Sequence, residues 1–203
     1  MVLIMKELFM LFITFIFYAF LGWCFEMIHM GITTKEIVNR GFFNGPIVPI
    51  YGVGVLLILT LLDGIKSNLF LTTFFITVIC TILEYFTSYF MEKIYKIRWW
   101  DYTDKKFNLH GRVCFETMFM FVIMALGVVY YIHPVFSNVL NTLSNDTIHV
   151  LGIVLLIVFI FDYLFSNYVL KHFLNSDITI RKDKTPAIRE FTKNMLKNKI
   201  LKK

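Results

Sequence analysis

Long apolar runs alternate with short polar stretches along this chain, and the runs are wide enough to cross a bilayer. Five of them, at 8–30, 46–62, 69–92, 113–132 and 148–170, suit a crossing of about 30 Å of hydrocarbon at about 1.5 Å per residue. Backbone groups inside lipid have no water to bond, so each run closes its own hydrogen bonds as a helix. The expected fold is all-α, an integral membrane helical bundle of five transmembrane helices. Residues 1–170 read as one polytopic domain and 171–203 as a basic tail.

Four acids interrupt the apolar runs: Glu26, Glu84, Glu116 and Asp162. An ionisable side chain in a membrane segment costs about 2.5–3.5 kcal/mol, so it tends to face a protein interior or a watery cavity. Other polar groups share their faces at helical spacing. Thr77, Thr81, Ser88 and Glu92 line up with Glu84, and Thr14, Tyr18, Gly22 and His29 with Glu26. Ser166 follows Asp162 by one turn. Such stripes serve as contacts between helices or as the wall of a path, and both readings stay open.

Charge sets an expected orientation. Loop 31–45 carries Lys35 and Arg40, loop 93–112 is rich in Lys and Arg, and loop 133–147 has neither. The tail carries a net charge of +7, against −1 for the rest of the chain. Basic loops stay in the cytoplasm, which puts the N-terminus outside, the C-terminus inside and all four acids in the cytoplasmic half. Composition agrees with a membrane protein: 58% of residues are hydrophobic, beyond the roughly 45–50% of soluble domains. The three cysteines, Cys24, Cys80 and Cys114, lie in apolar runs and read as packing residues. The first run is too long for the apolar part of a cleavable signal peptide.

The two basic loops carry the remaining chemistry. In the first, Asn39, Arg40 and Asn44 precede Pro46; Asn44 suits a helix cap and Pro46 a first helical turn. In the second, Trp99, Trp100 and Tyr102 resemble an interfacial aromatic belt, with Asp101 among them calling for a partner such as Arg40 or Arg112. Arg112 stands four residues before Glu116 and can pair with it. Asn108 lies between. These residues form either a structural ion-pair network or a site for a lipid or nucleotide phosphate. The segments 43–48 and 109–114 align loosely, so helices 1–2 and 3–4 read as a weak two-fold repeat.

The spacing of Glu26 and His29 matches half of a di-iron motif, but its second half is missing. The expectation is therefore no metal and no cofactor. No nucleotide-hydrolysing or serine-hydrolase motif occurs, so no catalytic residue is assigned. In the tail, Ile188, Phe191 and Met195 share one face of a basic helix, which suits an anionic membrane surface.

Several stretches together resemble a bacterial family of ABC-transporter permeases of the CmpB type. They are Gly22-Trp23-Cys24-Phe25-Glu26, Asn39-Arg40-Gly41-Phe42-Phe43-Asn44-Gly45-Pro46, Pro49-Ile50-Tyr51-Gly52, Glu84-Tyr85, Trp99-Trp100-Asp101-Tyr102 and Phe107-Asn108-Leu109-His110-Gly111-Arg112-Val113-Cys114. His110 departs from the family, where Asn is frequent. The resemblance spans roughly residues 15–170 and leaves the tail out. It implies a small multi-pass permease subunit of the bacterial cytoplasmic membrane. Such a subunit needs a separate ATPase at an inner loop, and an oligomer to complete a pathway.

The expected function is thus small-molecule or ion transport, with Glu26, Glu84, Glu116 and Asp162 along the path and membrane lipid around the bundle. Nucleic acid is not an expected partner. The alternative is a lipid-binding protein or lipid-modifying enzyme at the membrane interface, working through Arg40, Asp101 and Arg112.

Overall fold

The computed structural model describes residues 2–35, 39, 41–176, 188, 190–195 and 197. The helices of the bundle are α1 (Val2–Thr34), α2 (Pro49–Leu61), α3 (Leu69–Tyr95), α4 (Phe115–Gly127), α5 (His133–Thr142) and α6 (Asn145–Ser176). The strands β1 (Asn108–Leu109) and β2 (Val113–Cys114) pair antiparallel, with Asn108 opposite Cys114. One end of the bundle carries the segments 41–48 and 96–114, here called the loop end. The other carries the tight turns after α2 and α5.

Four helical stretches are long and apolar enough to span a membrane: Ile4–Ile32, Leu69–Tyr95, Phe115–Thr142 and Asn145–Leu174. The fifth expected span is shorter than its apolar run. α2 has 13 residues, about 20 Å of rise, and starts at Pro49 rather than Pro46. The cause lies in where the preceding backbone bonds go. Val48 is extended and donates to the Ala19 carbonyl at 3.0 Å, and Ile47 donates to the Gly45 carbonyl at 2.9 Å. These donors are thus taken up outside the helix, which opens with Pro49, whose missing N–H is no loss at a first turn.

The fourth span is longer than expected and absorbs much of loop 133–147. α4 and α5 are joined by a π-helical turn, Val128–Ile132. Pro134 sits just beyond it; a proline inside a helix removes a donor and clashes with the carbonyl four residues back, and a wider turn relieves both. α3 begins where the Asn68 side chain accepts from the Leu71 amide at 3.1 Å. It ends where Lys96 turns left-handed, at φ 58°.

α1 is the hub, packed on both α2 and α6, while α2 leads to α3 and α3 to α4. Ile58, Leu62, Ile76, Val122, Ala125 and Val129 make the core between α2, α3 and α4. Near the turns, Phe17 stacks on Phe136 with ring centres 4.1 Å apart, and Tyr18 bonds His133 at 3.1 Å. Of the loose repeat, one local feature is seen. Gly45 and Gly111 each precede an outgoing helix, and each gives its amide to a side-chain oxygen, of Asp162 and Asn108 respectively.

The tail differs from its expected place. Residues 190–195 are helical, but the apolar face packs on the protein. Ile188 is buried with Ile97, Trp99, Val169, Leu170 and Phe173, and Phe191 and Met195 lie against the same group. The rings of Phe173 and Phe191 meet edge to face at 5.7 Å. The expected lipid-facing residues thus cover the loop end of α6. Phe191→Ala should lower thermal stability by about 1–3 kcal/mol, read as a fall in Tm of the detergent-solubilised full chain; a tail lying only on lipid would leave Tm unchanged.

Candidate functional site

α1 and α2 approach unusually closely, and this approach builds the site. A side chain at Gly22 would place its Cβ 2.2 Å from the Tyr51 ring, so only glycine admits that ring. Tyr51, in the first turn of α2, lies flat against α1 and donates its hydroxyl to Glu26 Oε1 at 2.6 Å. Phe121 of α4 holds the other side of the ring edge-on at 5.7 Å.

Glu84 enters the same space from α3. It is only 4% exposed, and its Oε2 has no hydrogen-bond partner. Tyr102, from the segment between α3 and β1, lies within electrostatic reach of this carboxylate. Burial, and then the charges of Glu84 and Glu26, push the Tyr102 phenol above its ordinary range. It therefore stays a proton donor at physiological pH. Two carboxylates and two phenols from four parts of the chain thus share one interior region.

The other two acids are elsewhere. Both oxygens of Asp162 accept from the Gly45 amide, at 3.1 and 3.0 Å, and Ser166 donates to the same carboxylate at 3.2 Å. Ser166 Oγ also accepts from the Asn44 amide at 2.8 Å and from its side chain at 3.0 Å. Asn44 was expected to cap α2; instead it is tied to α6. Glu116 lies on the surface and pairs with Lys105 at 2.8 Å, its side chain 63% exposed. It does not pair with Arg112.

The loop-end residues form separate polar networks, one in each segment. Asn39 accepts from Trp23 Nε1 at 2.8 Å and donates to the Asn44 carbonyl at 2.7 Å. Arg112 donates to Glu92 at 2.6 Å and to Ser88 at 3.1 Å. Arg98 joins it on Glu92 at 3.0 Å. Asp101 does not pair with Arg112; it pairs with Arg98 at 3.5 Å and takes the Thr103 amide and hydroxyl. Burial alone would raise the Asp101 carboxyl, yet Thr103 and Arg98 together hold it below the ordinary range. Its contribution to stability is present at neutral pH and is lost as pH falls through that lowered value. Asn108 folds the turn, donating to the Lys105 and Thr103 carbonyls and accepting from Gly111.

The two tryptophans do not form a lipid-facing belt. Trp99 is buried against α6, and Trp100 donates to the Arg112 carbonyl at 2.8 Å. The reason is the length of the segment after Lys96, which folds back across the bundle end. Arg40 lies outside the described residues. So does any structural statement on its pairing.

A family model described as "Putative ABC-transporter type IV" matches residues 13–167. The chain belongs to this family, the CmpB type. No curated protein and no solved structure matches it. The CmpB-type match takes in Glu26, Tyr51, Glu84, Tyr102 and Asp162, and stops short of the tail. It makes the chain an ABC-transporter-type membrane component. Two residues of this CmpB-type interior were not among the sequence candidates, Tyr51 and Tyr102. The signal for Tyr51 was Gly22, one turn before Glu26 on the polar face of α1.

Asp162→Leu should lower stability by about 1–3 kcal/mol, because the amide of Gly45 loses its acceptor within the bundle. Gly45→Ala should act the same way, since its Cβ would meet Asp162 Oδ2 at 2.6 Å. Thermal unfolding in detergent reads both. A wild-type Tm in either variant would remove this contact from the account of the fold.

Proposed function

We propose that the chain is the permease subunit of an ABC-type transporter in a bacterial cytoplasmic membrane. It carries a small molecule or an ion, and Glu26 and Glu84 line the path. The observation that carries the reading is the meeting of these two acids, from α1 and α3, inside a bundle of membrane length. A buried acid without a basic partner is neutralised by a proton or by what it binds, because an unpaired buried charge is costly, and either state suits a transport path. Among the described residues the neighbouring bases are engaged elsewhere: Arg112 and Arg98 by Glu92, Lys105 by Glu116.

Asp162 and Glu116 leave the path in this reading. Asp162 anchors the entry to α2, and Glu116 serves the surface. The loop end is cytoplasmic, with the N-terminus outside, as the distribution of Lys and Arg suggests. The energy for transport comes from a separate ATPase, because this chain has no nucleotide-binding sequence of its own. The segments 41–48 and 96–114 are its docking face. The alternative, a lipid-phosphate site at Arg40, Asp101 and Arg112, has its described arginine already committed to Glu92 and Ser88.

Two measurements test this. Single cysteines at Ser144 and Asp104, in a background without the native three, should label differently in intact cells. Ser144→Cys should react from outside and Asp104→Cys only after permeabilisation; the reverse would invert the orientation. Purification of the full chain from its own membranes in mild detergent should bring down an ATPase subunit. Recovery of the chain with no ATPase, under conditions that keep a known ABC complex intact, would overturn the permease reading.

A further inference from the structure

Among the described residues neither Glu26 nor Glu84 has a basic partner, so any charge they carry is offset by a proton or by a bound cation. Glu84 shows the deficit most directly. It is 4% exposed, and one carboxylate oxygen faces protein with no donor. Buried polar atoms are nearly always satisfied, so a buried acceptor with no donor marks a missing partner. Glu26 is close enough to act on the same groups, since both acids bear on Tyr51 and Tyr102. Among the described residues the one donor to Glu26 is the neutral Tyr51 hydroxyl, at 2.6 Å.

From this geometry we infer that Glu26, Glu84, Tyr51 and Tyr102 form a binding site for one small monovalent cation. The inference deepens the permease reading and rests on it for the cation being cargo or coupling ion; the binding itself stands on the site. The donor set is oxygen only. That excludes the soft metals that select thiolate or imidazole. Calcium takes six to eight oxygens, and magnesium demands an octahedron with several waters kept. Two carboxylates on different helices and two phenols fall short of either. A monocation needs fewer ligands, and its charge offsets the repulsion between the acids. An alkali ion and a primary ammonium group present the same chemistry here. The first would take carboxylate and phenol oxygens directly; the second would donate N–H bonds to Glu84 Oε2.

The site is also gated by its construction. Tyr51 is held on Glu26 by the fit of its ring over Gly22, and Tyr102 belongs to the loop-end segment, where its amide bonds the Gly111 carbonyl at 2.8 Å. Movement of that segment carries a ligand of the cation with it. The loop end is also the proposed docking face of the ATPase, so partner and site share one element.

The test uses the purified full chain in detergent, with Tm followed against added salt. The probes are sodium, potassium and ethylammonium chlorides, with magnesium chloride as the divalent control and N-methyl-D-glucamine chloride holding ionic strength constant. One of the three should raise Tm saturably, by about 5 °C at roughly a hundredfold excess over Kd. A response to an alkali ion alone, or to ethylammonium alone, tells the two sources apart. Glu84→Gln should abolish the shift, and its Tm without cation should match or exceed that of the wild type, because the repulsion is gone. Glu26→Gln serves as the second variant and should weaken the shift at least tenfold in half-saturating concentration. A purely structural Glu84 would give the opposite: a lower Tm with no cation dependence in either protein. Absence of any shift in the wild type, a response to magnesium alone, or a shift retained in Glu84→Gln overturns the inference. An ATPase that still co-purifies in that case leaves the permease reading standing.

Discussion

Everything at the loop end depends on one requirement: backbone amides within a membrane bundle must find acceptors. The chain between α1 and α2 is not helical from residue 41 to 48, so its amides have no partner of their own. Asp162 and Ser166 of α6 supply them, taking Gly45 and Asn44, and Ala19 of α1 takes Val48. With those bonds made, α2 begins at a defined height beside α1. That height sets Tyr51 against Glu26. An acid read as a transport residue from its position in an apolar run is thus the anchor for two others.

The second basic segment follows the same logic with different parts. Most of its polar groups satisfy one another, as a buried network requires to be favourable, although the buried Nε1 of Trp99 has no partner among the described residues. Arg112 bridges the end of α3 to the start of α4 through Ser88 and Glu92. Trp100 closes the segment onto the Arg112 carbonyl, and Trp99 fills the space beside α6. The product is a floor across the bundle end, and Tyr102 belongs to it. The tail then packs onto this floor through Ile188 and Phe191.

The helical bundle was legible from apolar run length, because lipid leaves the backbone no other choice. The start of α2 was not. Pro46 and Pro49 both suit a first turn, and only the distant carboxylate of Asp162 decides between them. The polar stripe with Glu26 and the one with Glu84 were legible from a spacing of three and four. Their meeting was half legible, since helices 1 and 3 need not have been neighbours of the same tyrosine. Glu116 was misread for a plain reason: one turn from a helix end, a long side chain reaches the surface and pairs there. The pairing of Asp101 with Arg98 lay closer in sequence than either partner expected. Tyr102 carried no signal, because an aromatic beside two tryptophans looks like part of a belt.

The short second helix has a mechanical consequence. A helix that spans a bilayer is held along its whole length by apolar contact, which weakens gradually as the helix slides. α2 rises only about 20 Å, and its remaining hold is a handful of hydrogen bonds at about 3 Å from the 44–48 segment to α6 and α1. Such bonds are short-ranged and directional; beyond about 3.5 Å, or with poor alignment, little of each remains. Under load the entry to α2 is therefore stiff up to a small displacement and then gives way all at once. It has the response of a latch, while the helices around it respond as springs.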